Sequence, residues 1–170
     1  MEPLHIAYYV SSHGLGHAGR ALEVARELLQ LDPHVRCTLV TAAPIHVLLG
    51  DAPLHPRLAL RAAWPDGCVQ VGAFSVDGAA TLAAYAALDR PALIAGEAAW
   101  MRGAGVRLVV SDITPLAFPA SAAAGLRSIC VSNFSWARAA PAAAQHACLL
   151  SSLVSPPLLP AARTHASSPL

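Results

Sequence analysis

The chain has 170 residues, is 55% hydrophobic and 12% charged, and carries a formal net charge of +1. Low charge with high apolar content excludes a chain disordered throughout. Its 11 Arg, with no Lys, are scattered among 10 acidic residues, which excludes a basic nucleic-acid stripe. The longest apolar runs, such as Leu4–Val10, fall far short of the roughly 20 residues a membrane-spanning helix needs. No basic segment followed by an apolar stretch opens the chain, and Cys37, Cys68, Cys130 and Cys148 lie far apart. These features predict buried free thiols in a reducing compartment, with the cytoplasm as the expected location.

Residues 4–10 form a short, continuous apolar run that suits a strand covered on both faces. A glycine-containing turn follows, Ser11–Gly16. The pattern of Ala21, Leu22, Ala25, Leu28 and Leu29 then predicts an amphipathic helix over Ala18–Leu31, stopped by Pro33. Val35–Thr41 reads as a second strand, Ala43–Leu49 as a short helix and Leu58–Ala62 as a third strand. Ala63–Gly78 reads as a loop. Asp77 is placed to cap an Ala-rich helix over Ala79–Arg102, kinked or divided at Pro91. Val106–Ser111 is a strong strand, Leu116–Ala124 a helix ended by Gly125, and Ser128–Val131 a last strand. Strands alternating with helices predict an α/β fold, a doubly wound, mostly parallel, Rossmann-like sheet. That unit is expected to occupy residues 1–138. From 139 to 170, Ala, Pro and Ser supply 19 of 32 residues, so this stretch is expected to be a low-complexity tail.

Chemistry concentrates where open α/β sheets bind ligands, beyond the carboxyl ends of their strands. The first turn reads Ser11-Ser12-His13-Gly14-Leu15-Gly16-His17-Ala18-Gly19-Arg20. Gly14 and Gly16 let the backbone approach a ligand, and the following helix start favours an anion. The spacing satisfies G-x-G-x-x-G, which keeps a dinucleotide-binding module as an alternative. Against it, the second strand ends Thr41-Ala42-Ala43 without an acid for a ribose hydroxyl. His13 and His17 lack a third nearby ligand, so no metal or other cofactor is expected. His17 reads as a general base or ligand contact, or else as a capping or exposed imidazole.

Asp112 follows a strand that would neighbour the first one, where its carboxylate would meet His17 and fix the imidazole tautomer. The plainer alternative is an Asp that caps the next helix. Asn133-Phe134-Ser135-Trp136 follows the last strand and offers polar and aromatic groups to the same crevice, or an ordinary packed loop. Gln70 and Asp77 are candidate hydrogen-bonding partners for a polyhydroxy ligand, with an ordinary loop as the alternative.

Taken in order, the first turn through Arg20, Gln70 with Asp77, Val109-Val110-Ser111-Asp112 and Ser128–Trp136 resemble the N-terminal glycosyltransferase-like domain of plant and algal L-arabinokinases. The resemblance spans about residues 4 to 137. It implies one half of a GT-B architecture, two Rossmann-like domains with the active site in the cleft between them. It further implies His17 as the general base and Asp112 as its orienting acid. His13, Gly14, Gly16, Arg20, Gln70, Asp77, Asn133 and Ser135 become candidate substrate contacts. Gly19 departs from the family, where Thr is usual, and no segment fits the ATP-binding loop of the family's kinase half, so kinase activity is not expected. The expected ligand is a sugar or nucleotide sugar, and the expected partner a second domain or protein completing the cleft. The alternative is a non-catalytic interaction or regulatory domain.

Overall fold

In the computed structural model the chain alternates strand and helix: β1 (Leu4–Val10), α1 (Leu15–Leu31), β2 (Val35–Thr41), α2 (Ile45–Leu49), β3 (Leu58–Ala62), β4 (Val69–Gln70), β5 (Val76–Asp77), α3 (Gly78–Ala86), α4 (Arg90–Gly103), β6 (Leu108–Asp112), α5 (Ala117–Ala124) and β7 (Arg127–Cys130). The structure describes residues 3–12, 15–49, 53–62, 69–72 and 75–131. The expected tail from 139 onward, with Cys68 and Cys148, lies outside them.

Five strands form one sheet in the order β3-β2-β1-β6-β7. Every neighbouring pair runs parallel. The chain winds outward from β1 to β3, then crosses back to place β6 on the other side of β1. That reversal puts the topological switch point between β1 and β6. The expected doubly wound α/β fold is therefore present.

The apolar run of β1 is buried at six of its seven positions. Tyr8, Val10 and Ile6 pack with Ala18, Ala21, Leu22, Ala25 and Leu29 of α1 on one face. Ala7 and Tyr9 pack with Met101 of α4 and with Ala117 and Ala120 of α5 on the other. Three of the five α1 residues in that interface are Ala, which lets the helix backbone lie close to the sheet. Arg57 ties the end of α1 down by donating to the carbonyls of Leu29, Asp32 and Val35. This is a common use of a cation at a helix C-terminus.

Several boundaries differ from the sequence expectation, among them β6, Leu108–Asp112 instead of Val106–Ser111, and β7, Arg127–Cys130 instead of Ser128–Val131. Helix α1 begins at Leu15 rather than Ala18, so Gly16 sits in its first turn. The expected loop 63–78 carries a two-stranded antiparallel pair, Val69 opposite Asp77 and Gln70 opposite Val76. As expected, the long Ala-rich helix is divided at Pro91 and capped by Asp77: Asp77 accepts from Ala80 N, and Asp89 caps the second helix by accepting from Ala92 N. Pro91 falls in the first turn of α4, where its missing N–H costs no helical hydrogen bond. Of the two expected outcomes, division and not a kink is the one present. Gly125 ends α5 with φ of 74°, a left-handed conformation that Gly adopts without a Cβ clash.

The thiols also divide. Cys37 is buried in β2, and burial pushes its pKa up to about 12. Cys130 is free but exposed, contrary to the expected burial, because β7 is an edge strand with all four residues exposed.

Candidate functional site

The site is assembled by the pairing of β1 with β6. Val10 stands opposite Asp112, so both strands end side by side. Ser11 N donates to Asp112 O at 3.3 Å and joins the two ends. From Ser11 the chain turns into α1, which carries His17 and Arg20 three residues apart on one face. Both side chains converge on Asp112 Oδ2: His17 Nδ1 lies 3.1 Å away and Arg20 Nη2 2.7 Å away. The two nitrogens approach each other to 3.2 Å around that shared oxygen.

Burial grades sharply across the cluster. The Asp112 side chain is 0% exposed, His17 15% and Arg20 37%. A carboxylate so deep needs a compensating partner, and the guanidinium supplies it. Asp112 Oδ1, also buried, finds no hydrogen-bond partner among the described residues. The field of this carboxylate reaches its neighbours. Burial, with the Asp112 charge adding, pushes the Tyr8 phenol up to about 12. Burial first, and Asp112 second, raises the Cys130 thiol.

An ionised carboxylate only accepts hydrogen bonds, so we assign the proton of a neutral His17 to Nδ1, with Arg20 Nη2 donating to Asp112 Oδ2; in the other tautomer Nδ1 would accept from Arg20 instead. The lone pair then lies on Nε2. Such an arrangement can take a proton from a hydroxyl at Nε2 while Asp112 stabilises the imidazolium that forms. Asp112 does not cap the next helix, the plainer sequence alternative: α5 has Leu116 at its cap position and no side-chain cap bond.

The other candidates are distributed as follows. Gly16 lies in the first turn of α1, where an added Cβ would meet nothing within 4 Å. The fold itself therefore does not demand glycine there. Arg20, expected as a substrate contact, is bound to Asp112. Gln70 lies on β4 and Asp77 on β5, in the small sheet, and Asp77 Oδ1 accepts from Ala80 N at 2.9 Å. His13, Gly14, Asn133 and Ser135, with Phe134 and Trp136, lie outside the described residues. Among the described residues no group of three or more His, Cys, Asp or Glu is placed to hold a metal ion. None of their helices is long and apolar enough to cross a membrane.

No family model matches the chain. It is 42% identical over 139 residues to L-arabinokinase of Arabidopsis thaliana, an alignment covering 78% of this chain. The chain spans 13% of that protein's length. Among solved structures it is similar to UGT2 of Phytolacca americana, complexed with UDP-2-fluoro-glucose and pterostilbene. The TM-score there is 0.56 at 16% identity, over 78% of this chain and 31% of the other. A UGT of Medicago truncatula complexed with UDP-glucose gives 0.53 at 17% identity, over 76% of this chain and 29% of the other. At such identities the likeness is one of fold, and that fold is the GT-B glycosyltransferase type.

Proposed function

We propose that this chain, an L-arabinokinase relative with the GT-B glycosyltransferase fold, binds a sugar or nucleotide sugar over the ends of β1 and β6. The observation that carries the reading is the His17–Asp112 pair, held at 3.1 Å where the sheet switches direction. In the reaction this geometry suits, a sugar or other acceptor hydroxyl gives its proton to His17 Nε2. The hydroxyl oxygen then bonds to the donor's anomeric carbon as the nucleotide leaves with the electron pair. Asp112 holds the Nδ1 proton throughout, and Arg20 holds Asp112. The first-turn amides of α1 supply donors suited to a ligand phosphate. Two of the solved GT-B neighbours were captured with UDP sugars, which supports that ligand class.

Isothermal titration of the full chain with UDP-glucose, UDP and free sugars tests the reading. Saturable binding that weakens in His17→Ala and Asp112→Asn is expected. Absence of binding, or binding indifferent to both substitutions, rejects it.

A second reading, an interaction domain, is favoured by β7. Its four residues are exposed, Ile129 by 49%, although strands of parallel sheets are ordinarily covered on both faces. Obligate assembly in size-exclusion chromatography, without sugar binding, would favour that role over the first.

A further inference from the structure

The residue after Asp112 has the least favourable backbone conformation for its type. Ile113 has φ of 53°, the only positive value at a non-glycine among the described residues. A β-branched side chain resists that region more than most, because its Cβ crowds the following carbonyl. Ile113 is also buried, so it cannot relax into solvent. Beside it, the buried Asp112 leaves Oδ1 without a hydrogen-bond partner. Two unfavourable features therefore fall on adjacent residues at the mouth of the sheet. Strain of this sort persists only where the surroundings enforce it.

The enforcing group is the side chain of Ser111. Its Oγ donates to Thr114 O at 3.0 Å and accepts from Thr114 N at 3.2 Å. One buried hydroxyl thus closes the turn Ser111–Thr114 from both sides, with Asp112 and Ile113 inside it. The backbone of Asp112 is fixed independently, by Ser11 N on its carbonyl. Closing the turn around a left-handed residue leaves the Asp112 carboxylate aimed at α1, where it meets His17 and Arg20.

We infer that Ser111 is a positioning residue: its hydroxyl clamp holds the strained turn at Ile113 and so fixes Asp112 against His17 Nδ1. The inference rests on the dyad proposed above, and its test reads the dyad without any ligand. In two-bond 1H–15N spectra of the full chain, His17 should show the neutral tautomer with the proton on Nδ1. In Ser111→Ala the clamp is lost. The His17 spectrum should then change to averaged tautomers, while circular dichroism remains that of the folded protein. Ser111→Thr, which keeps the hydroxyl, should restore the wild-type signature. Ile113→Gly and Ile113→Ala both remove the side chain, but only Gly accepts the positive φ freely. Gly should therefore melt above Ala, reversing their usual order, and with the Ser111 clamp intact it should keep the His17 signature.

The result that overturns the inference is a lowered melting temperature in Ser111→Ala with the His17 tautomer unchanged, since Ser111 would then be merely structural. An Ile113→Gly that melts below Ile113→Ala removes the strain, and the inference with it. Should Ser111→Ala fail to fold, Ser111→Cys, a weaker hydrogen-bonding group of similar size, takes its place with the same two outcomes. A wild-type His17 without the Nδ1 tautomer rejects the dyad itself, and this inference falls with it.

Discussion

Glu97 and Asp112 are both buried carboxylates set against the sheet, one on each face, and their surroundings differ in kind. Glu97, on α4, has both oxygens engaged. Arg61 Nη2 reaches Oε1 at 2.8 Å, Arg61 Nη1 reaches Oε2 at 2.8 Å, and Tyr9 Oη donates to Oε2 at 2.5 Å. The guanidinium also lies over the Trp100 ring, 4.3 Å from its centroid. Burial first, and the bond to Glu97 second, drives the Tyr9 phenol far above its ordinary range. Asp112 crowds two donors onto Oδ2, leaves Oδ1 bare and is followed by a strained residue. A carboxylate that joins elements is completed by the fold. Asp112 is left incomplete. On that contrast Glu97 is expected to serve stability, and Asp112 the proposed site.

Substitutions separate the two. The largest effect is expected at Glu97. Glu97→Ala strands a buried phenol and a largely buried guanidinium, which should cost about 3 kcal/mol in urea unfolding. Under conditions where the variant stays folded, its affinity for UDP-glucose should match that of the wild type. A variant as stable as the wild type would break the assignment.

Asp112→Asn should show the opposite profile. Stability should change by no more than about 1 kcal/mol, because the amide fills the same space and removes a charge that was only half satisfied. Calorimetric affinity should fall about tenfold or more, which corresponds to roughly 1.4 kcal/mol. A smaller change is expected at Arg20, whose side chain is 37% exposed and so worth little as a charge. Arg20→Gln should lower stability by about 1 kcal/mol and weaken binding less than Asp112→Asn does.

The sequence foretold one side of this comparison and not the other. His17 and Asp112 were legible because a glycine turn after the first apolar run, and an acid after a later one, mark strand ends in an alternating chain. A doubly wound sheet then sets those two strands side by side across the switch point. The bounds of β2 and β3 were likewise fixed by short apolar runs with clear stops. Helix α1 starts three residues early because Gly16 in its first turn and Gly19 in its second mask a helical pattern that tertiary packing imposes. The Glu97–Arg61–Tyr9 network was invisible, since its members come from three distant segments and no spacing links them. The clamp was equally hidden. An Ile in a left-handed turn runs against propensity, so propensity cannot announce it.

The smallest expected effect concerns a second histidine, at the opposite end of β1 from His17. His5 is buried, with Nδ1 3.0 Å from Ala104 O and Nε2 2.8 Å from Thr38 Oγ1. Like Glu97, it is completed by the fold. Burial lowers its pKa from 6.5, the bond to Ala104 opposes that, and the charge of Arg36 adds to it. The folded chain therefore binds fewer protons at this site than the unfolded chain does, in the interval between the lowered value and 6.5. Stability from His5 is at its full value above 6.5 and declines as the pH falls through that interval. In His5→Gln, which keeps hydrogen-bonding atoms but cannot titrate, the decline on acidification should be shallower than in the wild type. All other histidines are common to both proteins, so the difference between their urea midpoints across pH isolates this one ring. Parallel curves would show that His5 takes up its proton equally in the folded and the unfolded chain, so that burial does not lower its pKa. The contrast between completed and incomplete polar groups would then have to rest on the carboxylates alone.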